Sequence, residues 1–151
     1  MRNAVTRKAA DASGTHLWLV MMKAHRTLER LAESSIESSD SCLSDFAVME
    51  MLLHKGPQPV NEIGRRIELT SGAITTAVDR LESRGIVMRE AHESDRRTRI
   101  VRLTARGKEQ AARAFATHKT AMDSAASGLS KAERATLIRL LKKLGTSAGV
   151  P

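Results

Sequence analysis

Two short apolar-patterned stretches, residues 60–67 and 71–84, are separated only by Glu68-Leu69-Thr70. In the first, Val60, Ile63 and Ile67 fall on one side. In the second, Ile74, Ala77, Val78 and Leu81 recur at helical spacing. Two short helices across so brief a turn form a helix-turn-helix. Thr70 or Ser71 can cap the second helix, and Arg84-Gly85 ends it, a cation in the last turn followed by glycine.

The flanking chain builds around this unit. Downstream, Ile86-Val87-Met88-Arg89 and residues 99–103 read as two strands about a charged loop, Ser94-Asp95-Arg96-Arg97-Thr98. Upstream, residues 15–34 carry Leu17, Val20, Met21, Ala24, Leu28 and Leu31 at helical spacing. Trp18 and Met22 widen that stripe beyond what one neighbour would cover, which points to a second contact, another subunit. A Ser-rich link follows, and Ser44 is placed to cap a helix through Phe46, Met49, Leu52 and Leu53, closed by Lys55-Gly56-Pro57. After the hairpin, Thr104 caps a long Ala-rich helix to about Ala126. Ser130-Lys131-Ala132-Glu133 is a capping box ahead of Leu137, Leu140, Leu141 and Leu144. Residues 1–14 are polar, end at Gly14 and are expected to be a flexible arm. The order is four helices, a hairpin and two helices. The fold is mainly α with a small β-hairpin, and 15–151 form one unit, as 151 residues suggest.

Composition restricts what such a unit can do. A formal charge of +8 fits a polyanionic partner, and nucleic acid is the commonest. One Trp, two Phe and no Tyr argue against a single-strand binder, which needs aromatic stacking platforms. The lone Cys42 excludes an internal disulfide framework and suits a reducing cytoplasm. The apolar run Leu17-Trp18-Leu19-Val20-Met21-Met22 is too short to span a bilayer, so no membrane partner is expected. No HxxxH, CxxC, paired-carboxylate or Gly-rich phosphate-loop arrangement occurs, and the five histidines are scattered, so neither a catalytic reading nor a metal or cofactor site has residues to rest on.

Three stretches carry a specific resemblance: TSGAITTAVDRLESRGIV, DRRTRIVRLTARG and LSDFAVMEMLLHKGPQPVNEIGRRIEL. Together they resemble the multiple antibiotic resistance regulator (MarR) family of winged helix-turn-helix regulators, over roughly residues 17–144. The resemblance implies a winged DNA-binding lobe at 43–103 and dimerisation helices at 15–34 and 104–146. It further implies a homodimer whose two lobes sit on successive turns of double-stranded DNA.

A helix that reads a duplex enters the major groove with small polar side chains outward. Subtracting the buried positions leaves Ser71, Gly72, Thr75, Thr76, Asp79 and Arg80 on the outer face of the second helix, with Arg80 its only long cation. Arginines at a hairpin tip are long and thin enough for a narrow minor groove. The family's Asp-x-Arg wing pattern falls on Asp95 and Arg97. There the Asp holds the wing by pairing with an Arg, and a tip Arg enters the groove. Arg97 is the first choice for insertion and Arg96 the second, with Arg99 crowding the same loop. Arg65 and Arg66 are placed to touch phosphates, and a solvated face explains them equally well.

Members of the family release DNA when a small phenolic or anionic effector enters between the dimer helices and the lobe, or when a cysteine is oxidised. For the first mode the candidates are Trp18, His25, Arg26 and Met49, with core packing the better account of Trp18 and Met49. For the second, Cys42 precedes a helix N-terminus that would stabilise a thiolate, whereas Glu37, Asp40 and Asp45 oppose it. The expected function is thus sequence-specific regulation at a palindromic operator, as a ligand-responsive repressor. The alternatives are redox response through Cys42 and a winged module that coats DNA nonspecifically or binds a protein partner.

Overall fold

The computed structural model of the chain describes residues 12–37, 41–91 and 98–149. In chain order it contains α1 (Gly14–Ile36), α2 (Leu43–Lys55), β1 (Gln58–Pro59), α3 (Val60–Arg66), α4 (Ser71–Ser83), β2 (Val87–Ala91), β3 (Arg99–Leu103), α5 (Ala105–Ala125) and α6 (Lys131–Ser147). The chain is mainly α with a small antiparallel sheet, as expected. β1 adds a strand to the expected hairpin: the sheet order is β1-β3-β2, with Gln58 opposite Val101 and Val87 opposite Leu103. Pro59 lacks a backbone donor and is tolerated because β1 is an edge strand.

Side-chain caps fix most helix starts. The hydroxyl of Thr70 accepts from Ala73 N at 3.3 Å, and that of Thr104 from Gly107 N at 3.0 Å. Ser130 and Glu133 complete a reciprocal capping box. α1 starts one residue before the expected position, so Gly14 belongs to the helix, and Ser13 caps it through His16 N. The rest of the expected arm, 1–11, lies outside the described residues. The expected cap on α2 is corrected: Cys42, not Ser44, is the N-cap residue, and no side chain bonds the first turn there. Asp45 in that turn complements the helix dipole instead.

The winged lobe closes over one core. Val48, Met49 and Leu52 of α2, Ile63 of α3, Ile74, Ala77, Val78 and Leu81 of α4, and Val101 and Leu103 of β3 are buried together. Close approach of α3 to α4 requires Gly64, where a Cβ would stand 3.0 Å from Ile74 Cγ2. The turn between them bends through Glu68 at φ 57° and is closed by Leu69 N donating to Gly64 O at 2.9 Å.

A second, smaller cluster of Ile36, Phe46 and Ala114, with Leu43 and Phe115 against it, joins α1 and α5 to α2. Beside it Ser35 Oγ lies 2.8 Å from His118 Nδ1, and the His118 and Phe46 rings are 4.7 Å apart. Beyond this junction the helices lose their cover. α6 buries no residue, and Leu137, Ile138, Leu140 and Leu141 are exposed on it. On α1, Leu17, Leu19, Val20, Leu28 and Leu31 are exposed, and so is Trp18 at 59 %. The expectation that Trp18 packs in the core is therefore corrected: the stripe of α1 is too wide for the single chain's own neighbours. Among the described residues no helix is long and apolar enough to cross a membrane.

Candidate nucleic-acid interface

The N-terminal half of α4 stands clear of the lobe. Ser71, Gly72, Ala73, Thr75 and Thr76 are exposed, and a Cβ at Gly72 would meet open space. Ile74, Ala77, Val78 and Leu81 anchor the opposite face. The hydroxyls of Thr75 and Thr76 donate to Ser71 O at 2.8 Å and Gly72 O at 2.9 Å. Towards solvent they therefore offer oxygen lone pairs and methyl groups, while the uncapped N–H groups of the helix start favour an anion.

Beside this face, α3, α4, β2 and β3 enclose an open cleft of about 590 Å³. Ser71 and Thr75 form one wall, Asn61 and Arg65 the second, and Arg89, Thr98 and Arg99 the third. Arg99 is exposed on the sheet face it shares with Val101 and Leu103, which turns it towards the cleft. Arg102 faces the other way and pairs with Glu90 at 2.7 Å. Asp95, Arg96 and Arg97 lie outside the described residues.

Acidic partners hold several of these cations. Glu62 bonds Arg65 Nη2 and Arg66 Nε, each at 2.7 Å. The hydrogen bonds from Arg65 and then Arg66 hold the Glu62 carboxyl down at about 2. Arg89 bonds Asp79 Oδ1 at 2.5 Å and also pairs with Glu82, whose Oε1 accepts from Arg89 N at 3.0 Å. β2 is thus tied to the outer edge of α4, and Asp79 is committed to that tie.

Arg80 has a different partner from the one its place in the sequence suggests. Its Nε lies 3.1 Å from both carboxylate oxygens of Asp45, and its Nη2 2.5 Å from Oδ1. The same Nη2 donates to Cys42 Sγ at 3.1 Å and Ser44 Oγ at 3.3 Å. Asp45 is 1 % exposed and also receives Arg84 at 3.6 Å. Sequence reasoning missed Asp45, Glu82 and Arg89 as parts of this face. The available signal was Arg89 itself, a cation directly after the apolar run Ile86-Val87-Met88.

The suggested effector residues do not converge within the chain. Met49 is fully buried in the lobe core, in line with the packing account of it. Trp18 and His25 are exposed on α1, His25 lying 3.9 Å from Glu29. Arg26 borders a shallow depression formed only by α1 residues. Cys42 is exposed, with its thiol 3.1 Å from Ser44 Oγ. Among the described residues no group of three or more His, Cys, Asp or Glu could hold a metal ion.

Comparison with known proteins agrees with this geometry. The MarR family model matches residues 43–98, which run from the start of α2 to the threonine before β3. The HTH-type transcriptional regulator MhqR of Bacillus subtilis is 34 % identical over 132 residues, covering 87 % of this chain and 91 % of that one. A probable transcriptional regulator from Pseudomonas aeruginosa superposes with a TM-score of 0.77 at 26 % identity, over 85 % of this chain and 96 % of its own. A mutant MarR from E. coli, solved in complex with operator DNA, superposes with a TM-score of 0.78 at 25 % identity, over 85 % and 93 %.

Proposed function

The chain belongs to the MarR family of DNA-binding helix-turn-helix transcriptional regulators, not enzymes, and on that premise we propose that it is a homodimeric, ligand-responsive repressor of a palindromic operator. The observation that carries this reading is the exposed N-terminal half of α4 beside a cleft walled by Arg65, Arg89 and Arg99. Ser71, Gly72, Thr75 and Thr76 enter the major groove, where hydroxyls read bases permissively. Arg65 and Arg99 lie against phosphates. The wing tip, with Asp95 holding its shape, sends Arg97 or else Arg96 into the minor groove.

The uncovered apolar rows of α1 and α6 support a second copy as the partner of both helices. A two-fold dimer places two α4 helices one helical turn apart, which demands an inverted repeat. The family supports release by a small phenolic or anionic effector between the dimer helices and the lobe, and action in the cytoplasm. Selection of bound duplexes from a random pool, repeated with such ligands, tests the reading. Recovery of an inverted repeat that the ligand depletes is the expected result. Uniform recovery with salt sensitivity alone would show a nonspecific coating protein.

A further inference from the structure

We propose that Asp45 is a positioning residue for DNA recognition: through Arg80 and Arg84 it fixes the angle of α4, and Arg80 serves that tether instead of contacting DNA. This rests on the proposed duplex-reading function. Asp45 is the buried charged residue of the described core, at 1 % exposure in the first turn of α2. Both of its oxygens face the Arg80 guanidinium, and Oδ2 also faces Arg84. Arg80 lies in the last turn of α4 and Arg84 is its C-cap, so the tether grips the end of the helix away from the reading residues.

Apart from the bonds of Arg80 to Ser44 and Cys42 at the same end, α2 and α4 share an apolar core, with Val48, Met49 and Leu52 clustered with Ala77, Val78 and Leu81. Apolar contacts are non-directional and tolerate a small roll or slide. A planar guanidinium facing a carboxylate is directional and has one preferred plane. From Arg80 to Ser71 the helix rises about 14 Å, so a tilt of about 5° at the tethered end moves Ser71 by about 1 Å. Displacements of that size exceed the roughly 0.5 Å tolerance of a preorganised site. The tether also fits its surroundings electrostatically, with a carboxylate at a helix N-terminus and cations at a helix C-terminus.

The test uses the full chain with its selected operator duplex and an unrelated duplex across a salt series. The variants are Asp45→Asn, Arg80→Gln and the double variant, with folding checked by circular dichroism. Each single variant is expected to lower the operator-to-unrelated affinity ratio by roughly tenfold, the size of losing one good base contact. The double variant should lose no more than either single one. The salt slope of Arg80→Gln on the unrelated duplex should equal that of the parent. A slope reduced by about 0.9 would mean that Arg80 meets a phosphate, and the inference would fail. Losses that add in the double variant, or an unchanged ratio in a folded Asp45→Asn chain, would also overturn it. If Asp45→Asn does not fold, the ratio and slope of Arg80→Gln decide alone. A parent chain that binds both duplexes equally overturns the proposed function and this inference with it. A discriminating parent with indifferent variants overturns only the inference.

Discussion

The first turn of α5 rests directly on the turn that follows α4: a Cβ on Gly107 would stand 1.9 Å from the carbonyl oxygen of Ile86. That oxygen also accepts from Thr104 N at 3.0 Å and Thr104 Oγ1 at 3.2 Å. Because the obstacle is backbone, a methyl group here forces α5 away from the lobe. Gly107→Ala should cost about 3 kcal/mol or more in chemical denaturation, at the upper end for overpacking. A loss below about 1 kcal/mol would contradict this contact.

Glu68 occupies the left-handed region at φ 57° in the turn between α3 and α4, just after the C-cap Ile67. Side chains with a Cβ disfavour this conformation, and glycine is the usual occupant. Glu68→Gly should therefore stabilise the chain by ~0.5–1 kcal/mol, after the entropy that glycine adds to the unfolded state. A thermal melt should show the midpoint rising by a few degrees, and a fall would refute the strain.

Glu62 is shared by Arg65 and Arg66, which hold its carboxyl at about 2, below its ordinary 4.5. A depressed carboxylate contributes stability above its unfolded value and loses it as pH falls towards the folded one. The contribution is thus complete above pH 4.5 and fades between there and about 2. The site is exposed, so the effect on stability is slight. A carbonyl NMR titration should locate the midpoint near 2. Glu62→Gln frees both guanidinium groups for phosphates and should tighten nonspecific duplex binding by about threefold.

Arg99 and Arg102 belong to one strand and face opposite sides of it. Arg99→Ala should reduce the slope of log affinity against log salt by about 0.9, one phosphate contact. Arg102→Ala, which removes a cation paired with Glu90, should leave the slope unchanged. Equal slopes for both variants would remove Arg99 from the interface.

Leu141 is exposed on α6, a helix with no buried residue. If a second copy covers it, Leu141→Glu places a charge in that interface and should yield monomers in analytical ultracentrifugation. Operator affinity should fall by roughly a hundredfold or more as two-site binding is lost. A dimer that survives the substitution would direct the search to another face.

Much of the fold was legible because its punctuation is local. Thr70 as cap, Gly85 as stop and the Ser130–Glu133 box are decided by side chains within a few residues of the backbone they serve. What escaped depends on distant partners. β1 is two residues long and forms only because β3 lies beside it. Asp45 reads as an ordinary first-turn acid until Arg80, far along the chain, is folded over it. Trp18 has the apolar spacing of a core residue, and only the paucity of neighbours around α1 shows otherwise. Of the cations suggested by position, Arg65 and Arg99 line the cleft, whereas Arg80 bonds Asp45 of α2.

The junction at Ser35 fixes a proton as well as a contact. Its hydroxyl donates to Ala32 O at 2.6 Å, so the oxygen facing His118 can only accept. His118 Nδ1 must therefore carry the hydrogen, which leaves the lone pair of the neutral ring on Nε2. The seam between the long helices and the lobe is therefore directional: His118 gives its hydrogen to Ser35, and Ser35 passes its own to the backbone of α1 at Ala32.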